Sequence, residues 1–365
     1  MKIGLVSDFD LMGSGYLHIA SNLGTELTRR GHDVTALGVG YRGDEHHFPY
    51  RIVPLPRQSF TQGVKVMLAN LVREQLCDAV IVVLDIPMII KTLGTQPTVD
   101  LPFYGVFPVE APPLTSNWST ALYQLAGCFV ISEFGTQECL KKGLEASHVA
   151  IPVDTKSWRS PSTEERAAIR KALGVAEGQR IVLTVAENQE RKNLSASLEI
   201  IARTKDVSYF MVTRRDSGVG WYLDDYINEL GLQRRVSIVE KGIPFKELWS
   251  LYAAADAFLI TSKAEGLGMP VLEAMSMGVP VVAPDHTAFH EHLSDGRGYL
   301  IPCEYENREP FGNGWRYYVD VDAGAFVLES ALSNKDESVR SKAFAYVEER
   351  TWEQVGEVVC RKLTL

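Results

Sequence analysis

The chain has 365 residues, of which 45% are hydrophobic and 23% charged, with a formal net charge of −9. That length exceeds what one ordinary core organises, so two domains of a soluble globular protein are expected. The negative charge argues against nucleic-acid binding by bulk electrostatics, and the first 150 residues, with 11 basic against 14 acidic side chains, offer no basic platform for anionic lipid.

Cys77, Cys128, Cys139, Cys303 and Cys360 are scattered, without C-x-x-C or metal-ligand spacing, which reads as free thiols in a reducing compartment. The opening MKIGLVSDFD meets an aspartate before an apolar leader could form. The most apolar run, AVIVVLDIPMII, is broken by Asp85 and Pro87 and falls short of the ~20 residues of a membrane span. A cytoplasmic location with no transmembrane segment is expected.

Short apolar runs alternate with helical patterns along the chain, the signature of a parallel α/β architecture. KIGLVS reads as a first strand, followed by a helix from Tyr16 to Arg30 that Gly31 stops. DVTALGV, AVIVVL, LPFYGVF and GCFVIS follow as strands, the last leading into a helix at SEFGTQECLKK with Ser132 as its N-cap. The polar linker KSWRSPSTEE opens another helix, and RIVLTVA, VSYFMVT, RVSIVE, AFLIT, VPVVAP and GYLIP then supply a second set of strands. Two doubly wound, Rossmann-like domains are expected, residues 1–155 and 156–345, with a final helix within 346–365. Ligands of such sheets bind beyond the carboxyl ends of the strands.

Three stretches could carry chemistry. In SKAEGLGMPVLEAMSMGVPVV, Pro270 suits a first helical turn, so a helix should begin near Met269, with Glu265 in the preceding loop and Glu273 just inside. Gly266 and Gly268, flanking Leu267, permit close backbone approach, and amides at residues 268–271 would serve an anion. Anion donors beside two acceptor-only carboxylates suit a nucleotide-sugar, which brings a diphosphate and hydroxyls. The second stretch, VAENQERKNLSASLEII, sets Arg191 and Lys192 at a helix start, where cations would neutralise a departing diphosphate. The third, SDFDLMGSGYLHIA, holds Gly13 and Gly15 at phosphate-loop spacing. His18 stands where a small residue is wanted and strand two ends in GVGY without an acid, so the case for NAD is weak. Asp85 and Glu110 follow strands and should face a cleft. Asp8-x-Asp10 and Asp320-x-Asp322 imitate a metal-binding pair, but one lies in a glycine loop and the other at a helix start, and no metal site is expected.

Residues 245–301, from FKELWSLYAAADAFLITSKAEGLGMPVLEAMSMGVPVVAP to GYLIP, resemble the donor-binding half of retaining GT-B glycosyltransferases, the large family containing glycogen synthases, sucrose synthases and bacterial mannosyltransferases. Its Glu-x7-Glu motif matches Glu265 and Glu273, and the likeness extends more weakly through SGYLHIASNLGTELTRRGHDVTAL and FVISEFGTQECLKKGL. It implies a GT-B fold in which Glu265 contacts the transferred sugar, Glu273 the ribose, Lys192 the phosphates, and the loop at Ile243 the base. The family's Gly-Arg position reads Ala186-Glu187 here and Asn193 replaces its glycine, so Arg191 is the candidate substitute for the missing arginine. The implied reaction is metal-independent and retaining, with no added cofactor. A UDP-, GDP- or ADP-sugar is the donor, and a glycan, lipid or small molecule approaches past Gly13, Gly15 and Asp85. A 2-epimerase of the same fold and a non-catalytic nucleotide-sugar binder remain open readings. The resemblance also implies that the final helix packs back on the N-terminal domain.

Overall fold

A computed structural model describes residues 1–10, 15–94, 100–334 and 336–363. The chain divides into two compact units. Unit 1 comprises Met1–Ile151, Pro310–Gly314 and Arg350–Leu365, and unit 2 comprises Pro152–Glu309 and Trp315–Glu349.

Unit 1 runs β1 (Lys2–Asp8), α1 (Gly15–Arg29), β2 (Asp33–Val39), β3 (Arg51–Leu55), α2 (Phe60–Arg73), β4 (Ala79–Val83), α3 (Ile86–Leu93), β5 (Phe103–Phe107), α4 (Ser116–Leu122), β6 (Gly127–Val130), α5 (Glu133–Leu140) and β7 (Ala146–His148). Its seven strands lie in the order β3-β2-β1-β4-β5-β6-β7, all pairings parallel. Every residue of β4 and β5 is buried, because helices cover both faces of a parallel sheet. The edge strands β3 and β7 are absent from the sequence reading. Pro54 interrupts RIVPL and ASH is only three residues long, so neither carries a strand signal.

Unit 2 runs α6 (Thr163–Ala172), β8 (Arg180–Val185), α7 (Leu194–Arg203), β9 (Val207–Thr213), α8 (Leu223–Glu229), β10 (Val236–Glu240), α9 (Phe245–Ala254), β11 (Ala257–Leu259), α10 (Met269–Ser276), β12 (Val281–Pro284), α11 (Thr287–Leu293), β13 (Tyr299–Ile301), β14 (Cys303–Arg308), β15 (Trp315–Val319), α12 (Val321–Ser333) and α13 (Glu337–Glu348). Its parallel sheet has the order β10-β9-β8-β11-β12-β13, and β14 and β15 form a separate antiparallel hairpin. In each sheet the winding reverses once, between β1 and β4 in unit 1 and between β8 and β11 in unit 2. Those are the points where loops from adjacent strands diverge and leave room for a ligand.

The last helix, α14 (Trp352–Leu363), groups with unit 1. Arg30 donates to the Glu353 carbonyl at 2.7 Å, and Lys362 pairs with Glu145 at 2.8 Å.

The linker opens α6 with a reciprocal cap, Ser162 and Glu165 each bonding the other's backbone amide. One acid then ties this helix to the sheet. Asp256, just before β11, accepts from Arg166 at 2.6 Å, Arg170 at 3.0 Å and the Ile181 amide of β8 at 2.7 Å. Replacing Asp256 with alanine should lower unfolding free energy by ~2 kcal/mol, since it strips a half-buried acceptor from two arginines. Urea unfolding measures this. A loss below ~0.5 kcal/mol would mean that the carbonyls of Ala253 and Ala255 hold Arg166 unaided.

Candidate active site

Because β8 and β11 are neighbours, the loops leaving their carboxyl ends meet. The loop after β8 makes a 3-10 turn over Glu190–Lys192 and reaches α7 through Asn193, whose φ of 51° is left-handed. Asparagine is among the few residues that accept this conformation, so it can stand where the resembled pattern has glycine. Three hydrogen bonds stitch this turn to the loop after β11. Lys263 N–H donates to the Arg191 carbonyl at 2.8 Å, the Thr261 hydroxyl to the Asn193 carbonyl at 2.8 Å, and Arg191 Nη1 to the Ala264 carbonyl at 2.7 Å.

Glu265 sits at this junction, 8% exposed. Lys192 Nζ donates to its Oε2, and Arg191 Nη1 approaches the same oxygen at 3.4 Å. Burial alone would push this carboxyl up, but Lys192 and then Arg191 outweigh it and hold the group at about 2. Glu265 is therefore an ionised, buried acceptor between two cations.

Beyond it, Gly268 adopts φ 78°, and a Cβ there would lie 2.9 Å from the Phe289 ring. Only glycine fits. Helix α10 starts at Met269 as the sequence suggests, but the expected row of anion-binding amides at residues 268–271 is shorter. Pro270 has no N–H and the Val271 amide is spent on the Gly268 carbonyl at 2.9 Å. The Gly268 and Met269 amides donate to no acceptor among the described residues. Glu273, half-buried on α10, accepts from the Tyr252 hydroxyl at 2.8 Å. Burial pushes this carboxyl up to about 7, opposed by the Tyr252 bond.

The next strand, β12, contributes a third loop that sequence reasoning missed. His286 is buried, and its Nε2 donates to the Ser262 carbonyl at 2.8 Å. Burial drives its ring down to about 4, so it is neutral near pH 7. Thr287 follows with φ 45°, a β-branched residue in the left-handed region, at a cost of order 1–3 kcal/mol. The signal available in the sequence was position alone: both residues follow VPVVAP after a single aspartate, Asp285, at the carboxyl end of a strand.

Glu187, at the arginine position of the resembled pattern, pairs with Lys241 at 2.9 Å and Arg214 at 3.6 Å. Ile243 is half-buried in the loop after β10. In unit 1, Asp85 caps α3 by accepting from the Met88 amide at 2.9 Å, and burial raises its carboxyl. Ser132 caps α5 as expected, accepting from Gly135 N–H at 3.2 Å. Gly15 begins α1 and Glu110 is half-buried after β5, while Gly13 lies outside the described residues. The His18 ring lies 5.9 Å from that of Trp352. Asp8 and Asp10 share one Arg57 nitrogen, at 3.0 and 3.1 Å. Asp320 caps α12 and Asp322 pairs with Arg203 at 2.6 Å. Each of these four aspartates has a structural partner.

The pH dependence of Glu273 follows from its environment. Between its ordinary value of 4.5 and about 7, the unfolded chain ionises Glu273 while the folded chain keeps it protonated. The folded state binds the extra proton, so this group's contribution to stability falls as pH rises through that window. His286 works the other way over part of the range, so the readout is the difference between two proteins. Ligand-free Glu273→Gln should gain stability relative to the parent between pH 4.5 and 7 and gain no more above it. A pH-independent difference in urea midpoints would contradict the assignment.

The Glycosyl transferases group 1 family profile matches residues 165–312. The D-inositol 3-phosphate glycosyltransferase of Corynebacterium urealyticum is 27% identical over 54% of this chain and 46% of its own. The O-antigen chain mannosyltransferase B of Escherichia coli is 49% identical over 30% of this chain and 26% of its own. The chain thus spans about half the length, or less, of these curated relatives. Among solved structures, the sucrose-phosphate synthase of Thermosynechococcus elongatus superposes with a TM-score of 0.79 at 15% identity, covering 98% of this chain and 97% of that one. Anabaena HepE, solved with UDP and glucose, gives 0.75 at 16% identity, covering 100% and 99%. The fold is GT-B, and within it residues 165–312 match the group 1 glycosyltransferase family.

Proposed function

We propose that this chain moves a sugar from a nucleotide-sugar to an acceptor hydroxyl, with retention of configuration and without a metal. The observation that carries the reading is Glu265, buried and ionised between Lys192 and Arg191 at the switch point of unit 2, beside the unspent Gly268 and Met269 amides. The bond broken joins the sugar's anomeric carbon to a phosphate oxygen, so negative charge grows on the diphosphate as it leaves. Preorganised cations and helix-start amides stabilise that charge best where water is scarce. The donor's phosphates would draw on Lys192 and Arg191, while the Glu265 carboxylate accepts hydroxyls of the departing sugar. Glu273 and Tyr252 would bind the ribose, and the loop at Ile243 the base. The acceptor attacks the face the diphosphate leaves, and a phosphate oxygen takes its proton, so no protein nucleophile is required. HepE supports the nucleotide class, since it was solved with UDP. The acceptor is a glycan, lipid or small molecule, and a cytoplasmic site of action follows from the donor.

The deciding experiment incubates the protein with UDP-, GDP- and ADP-sugars and scores nucleoside diphosphate release with and without acceptors. Release should survive EDTA, and Lys192→Ala should lower kcat about a hundredfold with a smaller effect on donor KM. Loss on chelation that manganese restores would remove the metal-independent mechanism. Binding without release would favour a non-catalytic role, for which Glu187 in place of arginine is the specific argument. Sugar inversion without transfer would favour an epimerase.

The two glutamates should separate by ligand. Glu273→Gln should weaken binding of nucleoside diphosphate alone by about tenfold, the scale of one charge-assisted hydrogen bond. Glu265→Gln should leave that affinity nearly intact and reduce turnover. Calorimetry with nucleoside diphosphate is the check, and equal losses would show that the roles are assigned wrongly.

A further inference from the structure

Thr287 opens α11 in a conformation that glycine adopts freely and a β-branched residue resists. Its hydroxyl supplies a reason for its presence. Thr287 Oγ1 accepts from the Glu265 amide at 3.3 Å, and its single proton lies between two acceptors, the Glu265 carbonyl at 3.0 Å and the unprotonated His286 Nδ1 at 2.9 Å. The Ala288 amide reaches the same carbonyl at 3.4 Å, so the first turn of α11 holds both sides of the Glu265 residue. His286 braces the hydroxyl from the other side, with Nδ1 2.9 Å from Oγ1 and Nε2 bonded to the Ser262 carbonyl. The His286 ring in turn stacks on Tyr317, centroids 4.8 Å apart. All three contacts of the hydroxyl are buried.

We propose that Thr287 is a positioning residue for Glu265, its left-handed backbone retained because it brings the hydroxyl onto the Glu265 peptide. This rests on the reading of Glu265 as the group that faces the transferred sugar. Lys192 and Arg191 restrain the carboxylate end of Glu265, and Thr287 restrains the peptide end. A residue pinned at both ends keeps one orientation when a donor takes over part of the cations' attention. Loss of the clamp should therefore appear in turnover rather than in nucleotide binding, because small misplacements of a reacting group are expensive in rate.

Two variants separate positioning from packing. Thr287→Gly suits the backbone but lacks the hydroxyl, and Thr287→Ser keeps the hydroxyl. With whichever of UDP-glucose, GDP-mannose and ADP-glucose the parent turns over, Thr287→Gly should lose about tenfold or more in kcat. Its donor KM and its affinity for the matching nucleoside diphosphate should stay within about threefold of the parent. Its circular dichroism should match the parent's, since relief of the strained backbone offsets part of the lost buried hydrogen bonds. Thr287→Ser should restore kcat to within about threefold of the parent. Parental kcat in the glycine variant, or a serine variant as slow as the glycine one, would overturn the proposal while leaving the proposed function standing. Absence of turnover by the parent with every donor would instead overturn the function reading, and this inference with it.

Discussion

The candidate site depends on one buried ion pair, Lys192 with Glu265. Removing two charges from water is costly, and such pairs seldom add stability over a hydrophobic alternative. Here the pair is completed by Arg191, which also binds the Ala264 carbonyl, and by hydrogen bonds joining the turn at residues 190–193 to the loop at 261–265. The arrangement costs folding energy and gains geometry. Two loops far apart in sequence are held together with an ionised carboxylate at their meeting point.

Strand order explains why these loops meet. With β8 at the reversal of the sheet, β11 lies beside it and β12 beside β11. The carboxyl ends of three consecutive strands therefore deliver Lys192, Glu265 and Thr287 to one place. The same rule puts Asp8 and Asp85 at the reversal of the unit 1 sheet, at the end of β1 and after β4. There, however, the acids are engaged by Arg57 and by the start of α3. Topology supplies a location, and the chemistry of the residues decides whether the location is used.

Much of this was legible in the sequence. Alternating strand and helix patterns carry the two parallel sheets, and the start of α10 follows from Pro270 after a glycine-rich turn. Glu265, Glu273 and Lys192 stand out because they match the Glu-x7-Glu and lysine positions of the resembled pattern. What escaped depends on neighbours that only folding creates. Tyr252 reads as one more aromatic on an amphipathic helix until α9 brings its hydroxyl to Glu273. Thr287 reads as an ordinary helix start until its φ and the adjacency of β12 to β11 are known. The hairpin β14–β15 escaped for another reason. CEYENR is exposed almost throughout and lacks the apolar alternation that marks a half-buried strand.

The missing arginine raises an electrostatic question that the cation pairs answer. Glu187 at that position places an acid after β8, but it gathers Lys241 from the end of β10 and Arg214 from the end of β9. The formal charges of that trio sum to plus one. Glu265 with Lys192 and Arg191 makes a second trio with the same sum. Each acid thus holds two cations in place while leaving one charge in excess. The two trios draw on the carboxyl ends of β8, β9, β10 and β11, where further charges of both signs, Glu190 with Lys263, Arg215 and Glu240, also stand. A single arginine would contribute one charge from one flexible stem. Gathering cations around acids fixes their positions before a ligand arrives, and that preorganisation is what makes such charges effective.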